Sequence, residues 1–259
     1  MTWPHDILRE IYNDPHATRR IKRRIRASLT PTEVDYKGCR MLVHPADNNT
    51  EFQIWRRGRS HEERALRNIL SALGNGSFTA FDVGANAGSF SVRLGAAGTP
   101  ESRVHAFEPN PEMRARLIHN LELNNIRNVT VHDCAISDES GEMELFLPNN
   151  NNFGQARLNE PFENGRNIMV KVRPLTEFFP DDMNSRVDFL KVDIEGFEDR
   201  AIEPLLADLP ERKWPRLIFF EHKHSGLWKT DITAHLLNSG YKLIKEYGRN
   251  ALFERARDS

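Results

Sequence analysis

Cysteine is scarce in the 259 residues: only Cys39 and Cys134 occur, far apart and outside any metal-ligand spacing, so neither a disulfide framework nor a thiolate zinc site organises the chain. No apolar run approaches the roughly 20 residues that a bilayer-spanning helix needs. The first residues lack the basic-then-apolar order of a secretory leader, and with so few cysteines the expectation is a cytoplasmic, reduced protein. An excess of charge is missing too. The 36 Lys and Arg stand against 37 Asp and Glu, so a polyanionic partner would have to be met by local clustering. One such cluster exists, Arg19-Arg-Ile-Lys-Arg-Arg-Ile-Arg26, with Ile21 and Ile25 on one helical face. Its spacing predicts a helix anchored on the protein by both isoleucines, its charges solvated. Docking of RNA or protein through this run is the competing reading, and nucleic acid is not the expected partner.

Cys39-Arg-Met-Leu-Val-His44 has the character of a short strand, closed by a turn at Pro45 and Asp47-Asn48-Asn49. From Glu51 to Leu73, Phe52, Ile54, Trp55, Ala65, Leu66, Ile69 and Leu70 keep helical spacing, and Gly74-Asn75-Gly76 follows as a stop signal, which predicts a helix over this stretch. Residues 1–74 are therefore expected to form a small helical and strand extension packed on a main domain of residues 75–259.

From Phe78 the pattern alternates. Strand-like runs at 78–83, 104–107, 129–132, 187–192 and 216–221 are separated by helical stretches at 89–97, 111–124 and 198–209 (the last despite Pro204), and another helix is read at 230–239. Residues 241–246 and 251–254 read as an antiparallel pair. The expected fold class is α/β, a mainly parallel, doubly wound, Rossmann-like sheet with an antiparallel terminal strand pair. A β-hairpin insertion is expected near 142–173, carrying the polar run Asn149-Asn-Asn-Asn-Phe-Gly154 between its strands. Amides there would suit a polyhydroxylated acceptor, although a polar hairpin tip explains them equally well.

Asp82-Val-Gly84-Ala85-Asn86-Ala-Gly88 lies directly after a strand and before a helix, where glycines let the backbone approach a bound nucleotide closely. An acid precedes the first glycine and Asn86 stands in place of a central one, so a pyrophosphate fits poorly. Asp82 would instead suit a cationic, amino-bearing ligand, and S-adenosylmethionine (SAM) carries both a sulfonium and an amino group. Glu108, at the next strand end in Glu-Pro109-Asn110, can accept both hydroxyls of an adenosine ribose. Asp133 and Cys134, past the third strand, are placed to border the adenine.

These pieces together resemble the FkbM family of SAM-dependent methyltransferases. The likeness rests on Phe-Asp-Val-Gly-Ala-Asn-Ala-Gly (81–88), Ala-Phe-Glu-Pro-Asn (106–110), Phe-Leu-Lys-Val-Asp-Ile-Glu-Gly-Phe-Glu (189–198) and Phe-Phe-Glu-His (219–222), and it covers about residues 75–255. It implies a class I methyltransferase fold and O-methylation of a hydroxyl on a sugar, lipid or secondary-metabolite acceptor.

Asp193 and Glu195 follow the fourth strand, and Glu221 and His222 end the fifth, beside the expected crevice. A hydroxyl acceptor needs a positioned base, and these four residues are the candidates, with Asp193 also able to touch the cofactor. Three carboxylates could alternatively hold Mg²⁺. No adjacent Asp-Asp or Asp-Asn pair of the catechol-type methyltransferases stands at these strand ends, so no metal is expected. A domain that binds SAM without transferring its methyl group is the competing reading from another functional class.

Overall fold

The computed structural model describes residues 4–149, 154–158, 160–179 and 186–255. The extension begins with α1 (His5–Asn13) and α2 (Arg19–Ser28), followed by β1 (Thr32–Tyr36) and β2 (Cys39–Val43), which pair antiparallel. Neither α1 nor β1 stood out in the sequence. Thr18 caps α2 by accepting the Ile21 N–H. The anchoring differs from expectation: Ile25 is buried, but Ile21 remains 43% exposed. The single helix expected from 51 to 73 is two, α3 (Asn49–Arg57) and α4 (Glu63–Leu73). Gly58 adopts φ +62° and ends α3 in a left-handed cap, a conformation open to glycine without a Cβ penalty. Tyr36, Met41, Val43, Phe52, Ile54 and Trp55 form a small core of their own. Ala65, Leu66 and Ile69 of α4 instead join the core of the main sheet.

That sheet begins with β3 (Thr79–Val83), α5 (Ser89–Ala97), β4 (Arg103–Phe107), α6 (Pro111–Leu123) and β5 (Val129–His132). The chain then forms a smaller sheet from β6 (Cys134–Ser137), β7 (Gly141–Leu147) and β8 (Arg166–Pro174). It returns as β9 (Phe189–Val192), α7 (Glu198–Asp208), β10 (Leu217–Glu221), α8 (Ile232–Asn238), β11 (Tyr241–Tyr247) and β12 (Asn250–Arg255). The strand order is β11-β12-β10-β9-β3-β4-β5, parallel from β10 to β5, with β12 antiparallel to both its neighbours. This is the mainly parallel, doubly wound sheet with an antiparallel terminal pair. Strand β9 is buried at every position, as a strand covered on both faces must be. The expected hairpin insertion gains a third strand, since β6 pairs in parallel with β8 and is buried throughout.

The topology places one crevice. The chain runs outward from β3 to β4 and β5, then crosses back to β9 on the other side of β3, so the ends of β3 and β9 diverge at the switch point. The extension is fastened beside it by α6. Asn120 and Asn124 accept the backbone N–H groups of Leu42 and Arg40, both at 2.8 Å. Arg116, 8% exposed, ties Asp47 (2.8 Å) and Glu51 (2.7 Å) to Glu112 (2.9 Å). Among the described residues no helix is long and apolar enough to cross a membrane.

Candidate active site

The glycine-rich turn is set by close approach. Gly84 has φ +76°, and a Cβ there would lie 2.0 Å from the Asp193 carbonyl oxygen, so only glycine lets the ends of β3 and β9 meet. Asn86 takes φ +54°, a conformation asparagine tolerates better than most residues. Its Oδ1 accepts from the Ala87 N–H (2.8 Å) and from Asn48 Nδ2 (2.7 Å), while its own Nδ2 donates to the Gly154 carbonyl (3.2 Å). Turn, extension and insertion therefore join at one side chain. Gly88 precedes α5 and packs on Leu117, outside the pocket wall.

Asp82 is not where the sequence reading placed it. Its side chain is fully buried, accepts from Ser91 Oγ (2.6 Å), pairs with Lys191 Nζ at 3.0 Å and does not line the pocket. Lys191 reaches it from the neighbouring central strand and also donates to the carbonyls of Gly84 (2.9 Å) and Val83 (3.3 Å). Burial alone would drive Lys191 toward neutrality. The adjacent Asp82 and Asp193 outweigh it and hold the pKa above its ordinary value.

On the β4 side, Glu108 is 6% exposed and accepts the N–H groups of Asn86 (2.7 Å) and Asn110 (2.9 Å). Burial nonetheless pushes its carboxyl up to about 7. Ala85 and Pro109 line the pocket beside it, whereas Asn110 is turned to cap α6. Phe107, Cys134, Ala135, Ile136 and Leu145 continue the wall as an apolar slot. Asp133 does not reach it. Its side chain is 64% exposed and faces Lys171 at 3.8 Å, because pairing of β6 with β8 turns Cys134 inward instead. The Asn run lies outside the described residues from 150 to 153.

Across the crevice, Asp193, Glu195 and Glu221 line the same pocket. Glu195 takes φ +54°, held by a turn whose Ile194 and Gly196 N–H groups donate to the buried Glu198 carboxylate. Glu195 Oε2 lies 3.0 Å from His224 Nε2, and Glu221 Oε2 lies 3.9 Å from the same nitrogen. Burial, then Asp193 and Glu195, pushes the Glu221 carboxyl up to about 8, and burial followed by Asp193 also raises Glu195. His224 is lowered by burial and then by Lys223. His222 is displaced from the expected cluster: it does not line the pocket, and its Nε2 is buried without a hydrogen-bond partner among the described residues. Glu195, Glu221 and His224 each offer an atom within 4.8 Å of the others, the set that could hold a metal ion.

Lys191, His224, Asn48 and Glu62 were missed in the sequence. A lysine interrupting the apolar run Phe-Leu-Lys-Val was the available signal for Lys191. His224 stands two residues past His222, and only the turn after β10 decides which imidazole faces the carboxylates. Asn48 and Glu62, both in the pocket wall, carry no local signal.

The pattern of the methyltransferase FkbM domain matches residues 82–243. Methyltransferase 1 of Beauveria bassiana (strain ARSEF 2860) is 30% identical over 151 residues, 51% of this chain and 59% of that protein. The match thus spans about three fifths of that relative's length. Methyltransferase sdnD of Sordaria araneosa is 30% identical over 197 residues, covering 64% of this chain and 74% of that protein. Among solved structures, the magnesium protoporphyrin IX methyltransferase of Synechocystis PCC 6803 with bound SAM aligns at a TM-score of 0.46 and 12% identity, over 97% of each chain.

Proposed function

The chain belongs to the FkbM methyltransferase domain family, and from that premise we propose that this SAM-dependent enzyme methylates a hydroxyl oxygen on a sugar, lipid or secondary-metabolite acceptor. The residues present fit the cofactor. Glu108 keeps lone pairs free on both oxygens for the ribose hydroxyls, the slot from Phe107 to Leu145 suits an adenine face, and the N–H groups opening α5, which no side chain caps, suit a carboxylate. When bound, SAM supplies an electrophilic methyl group on its sulfonium.

The protein's own task is then to hold the acceptor and take its proton. One observation supports oxygen as the acceptor atom: three proton-accepting side chains, Glu195, Glu221 and His224, converge within 4.8 Å of one another across β3 from Glu108. His224, its pKa lowered, is neutral at neutral pH, and the Glu195 carboxylate beside it can orient the imidazole and steady it once charged. Glu221, with its raised pKa, is matched to receiving a proton near neutrality. Glu62, Asp193, Glu195 and Glu221 outnumber Lys191 and Arg157 in the wall, and carboxyl groups there suit the hydroxyls of a polyol better than the phosphates of a nucleic acid.

The test supplies methyl-labelled SAM with hydroxylated acceptors, locates the label by mass spectrometry, and compares Glu195→Gln. We expect an O-methyl product and a kcat lowered by ~10²–10⁴-fold with SAM affinity retained. Transfer to nitrogen or carbon would refute the assignment. Near-normal turnover in Glu195→Gln would leave that residue structural.

A further inference from the structure

We propose that Glu62, delivered by the N-terminal extension, binds the ammonium group of the cofactor's amino-acid portion together with Asp193. This rests on SAM as the ligand of the pocket.

An ammonium drawn out of water needs an anionic acceptor. Asp82, the acid that precedes the glycine turn, cannot serve, because it is fully buried and committed to Lys191 and Ser91. Glu108 belongs to the β4 side, where it is assigned to the ribose hydroxyls. Glu195 and Glu221 converge on His224. The other carboxylates of the wall are Asp193 and Glu62, and the Glu62 carboxylate is also held by Ser60 and by its own backbone N–H.

The position of Glu62 is built rather than incidental. It immediately precedes α4, and α4 is held along α5 by Glu63, whose two carboxylate oxygens each accept from Arg93 at 3.2 Å. Both partners of that pair are only 14% exposed. The first residues of α5, Ser89 and Phe90, line the same pocket as Glu62. The uncapped N–H groups at that helix start suit the cofactor's carboxylate, and the ammonium sits on the same carbon as the carboxylate. Glu62 shares one pocket wall with this helix start, and that wall would receive the ammonium. Charge points the same way. Among the described residues, Lys191 is the lysine that faces Asp82, Asp193 and Glu62, at 3.0 Å from Asp82 and 3.9 Å from Asp193. Burial, and then Asp193, pushes the Glu62 carboxyl up to about 7, as expected where a positive charge is wanting.

Calorimetry with S-adenosylhomocysteine and with methylthioadenosine, which lacks the amino-acid portion, tests this on the parent protein and Glu62→Gln. Glu62→Gln should weaken S-adenosylhomocysteine by about 10- to 100-fold, the scale of a charge-assisted hydrogen bond, and leave methylthioadenosine unchanged. Unchanged affinity for S-adenosylhomocysteine overturns the proposal. So does an equal loss for both ligands, which would mean that Glu62 only shapes the pocket. If the parent protein itself binds neither ligand, the cofactor reading fails first and this proposal with it.

Discussion

Replacing Lys191 with methionine isolates the interaction that holds the glycine turn in place. The ammonium is 6% exposed and faces an Asp82 carboxylate with no exposure at all. Methionine fills a similar volume but leaves that carboxylate as an uncompensated buried charge, and the Gly84 carbonyl loses the donor at 2.9 Å. Breaking one side of a buried pair costs about 3–5 kcal/mol. For a chain of this size each kcal/mol moves the midpoint by about 2–4 °C, so Tm should fall by about 6–20 °C. The double variant Asp82→Asn/Lys191→Met should recover most of that loss, because the amide carries no charge and its oxygen still accepts from Ser91. Thermal unfolding followed by circular dichroism at neutral pH, repeated in urea, measures both. A single variant as stable as the parent, or a double variant no better than the single, would show that the pair is not what holds the turn.

Glu108→Ala should weaken S-adenosylhomocysteine by about 1–3 kcal/mol in calorimetry, and an unchanged affinity would place the ribose elsewhere. Because the Glu221 carboxyl is pushed up to about 8, its base form grows as pH rises through that value. Turnover should climb over the same range, and Glu221→Gln should flatten the rise. A rate already level below neutral pH in the parent would remove Glu221 from proton transfer. Activity is expected to persist in EDTA. Turnover lost on chelation and restored by Mg²⁺ would make Glu195, Glu221 and His224 ligands of a metal instead.

What the sequence determined by itself is whatever depends on neighbouring residues in the chain. The strand that runs into Gly84, the acid at the end of β4, the alternation of strands and helices, and the acidic turn after β9 all follow from periodicity and turn chemistry, which act over a few residues. What the tertiary structure decided is where side chains meet across elements. Asp82 has the same local setting whether it faces a ligand or the protein. It faces the protein because Lys191, distant in sequence, stands on the adjacent strand. Of Asp133 and Cys134, both expected beside the adenine, only Cys134 faces the pocket, because β6 pairs with β8, a partner no local pattern named. Through the course of a single turn His224, rather than His222, meets the Glu195 and Glu221 carboxylates, and Asn48 and Glu62 reach the pocket because α6 and α5 hold the extension against it. Burial and long-range pairing are properties of the assembled sheet, and they determine which of several chemically able residues faces the crevice.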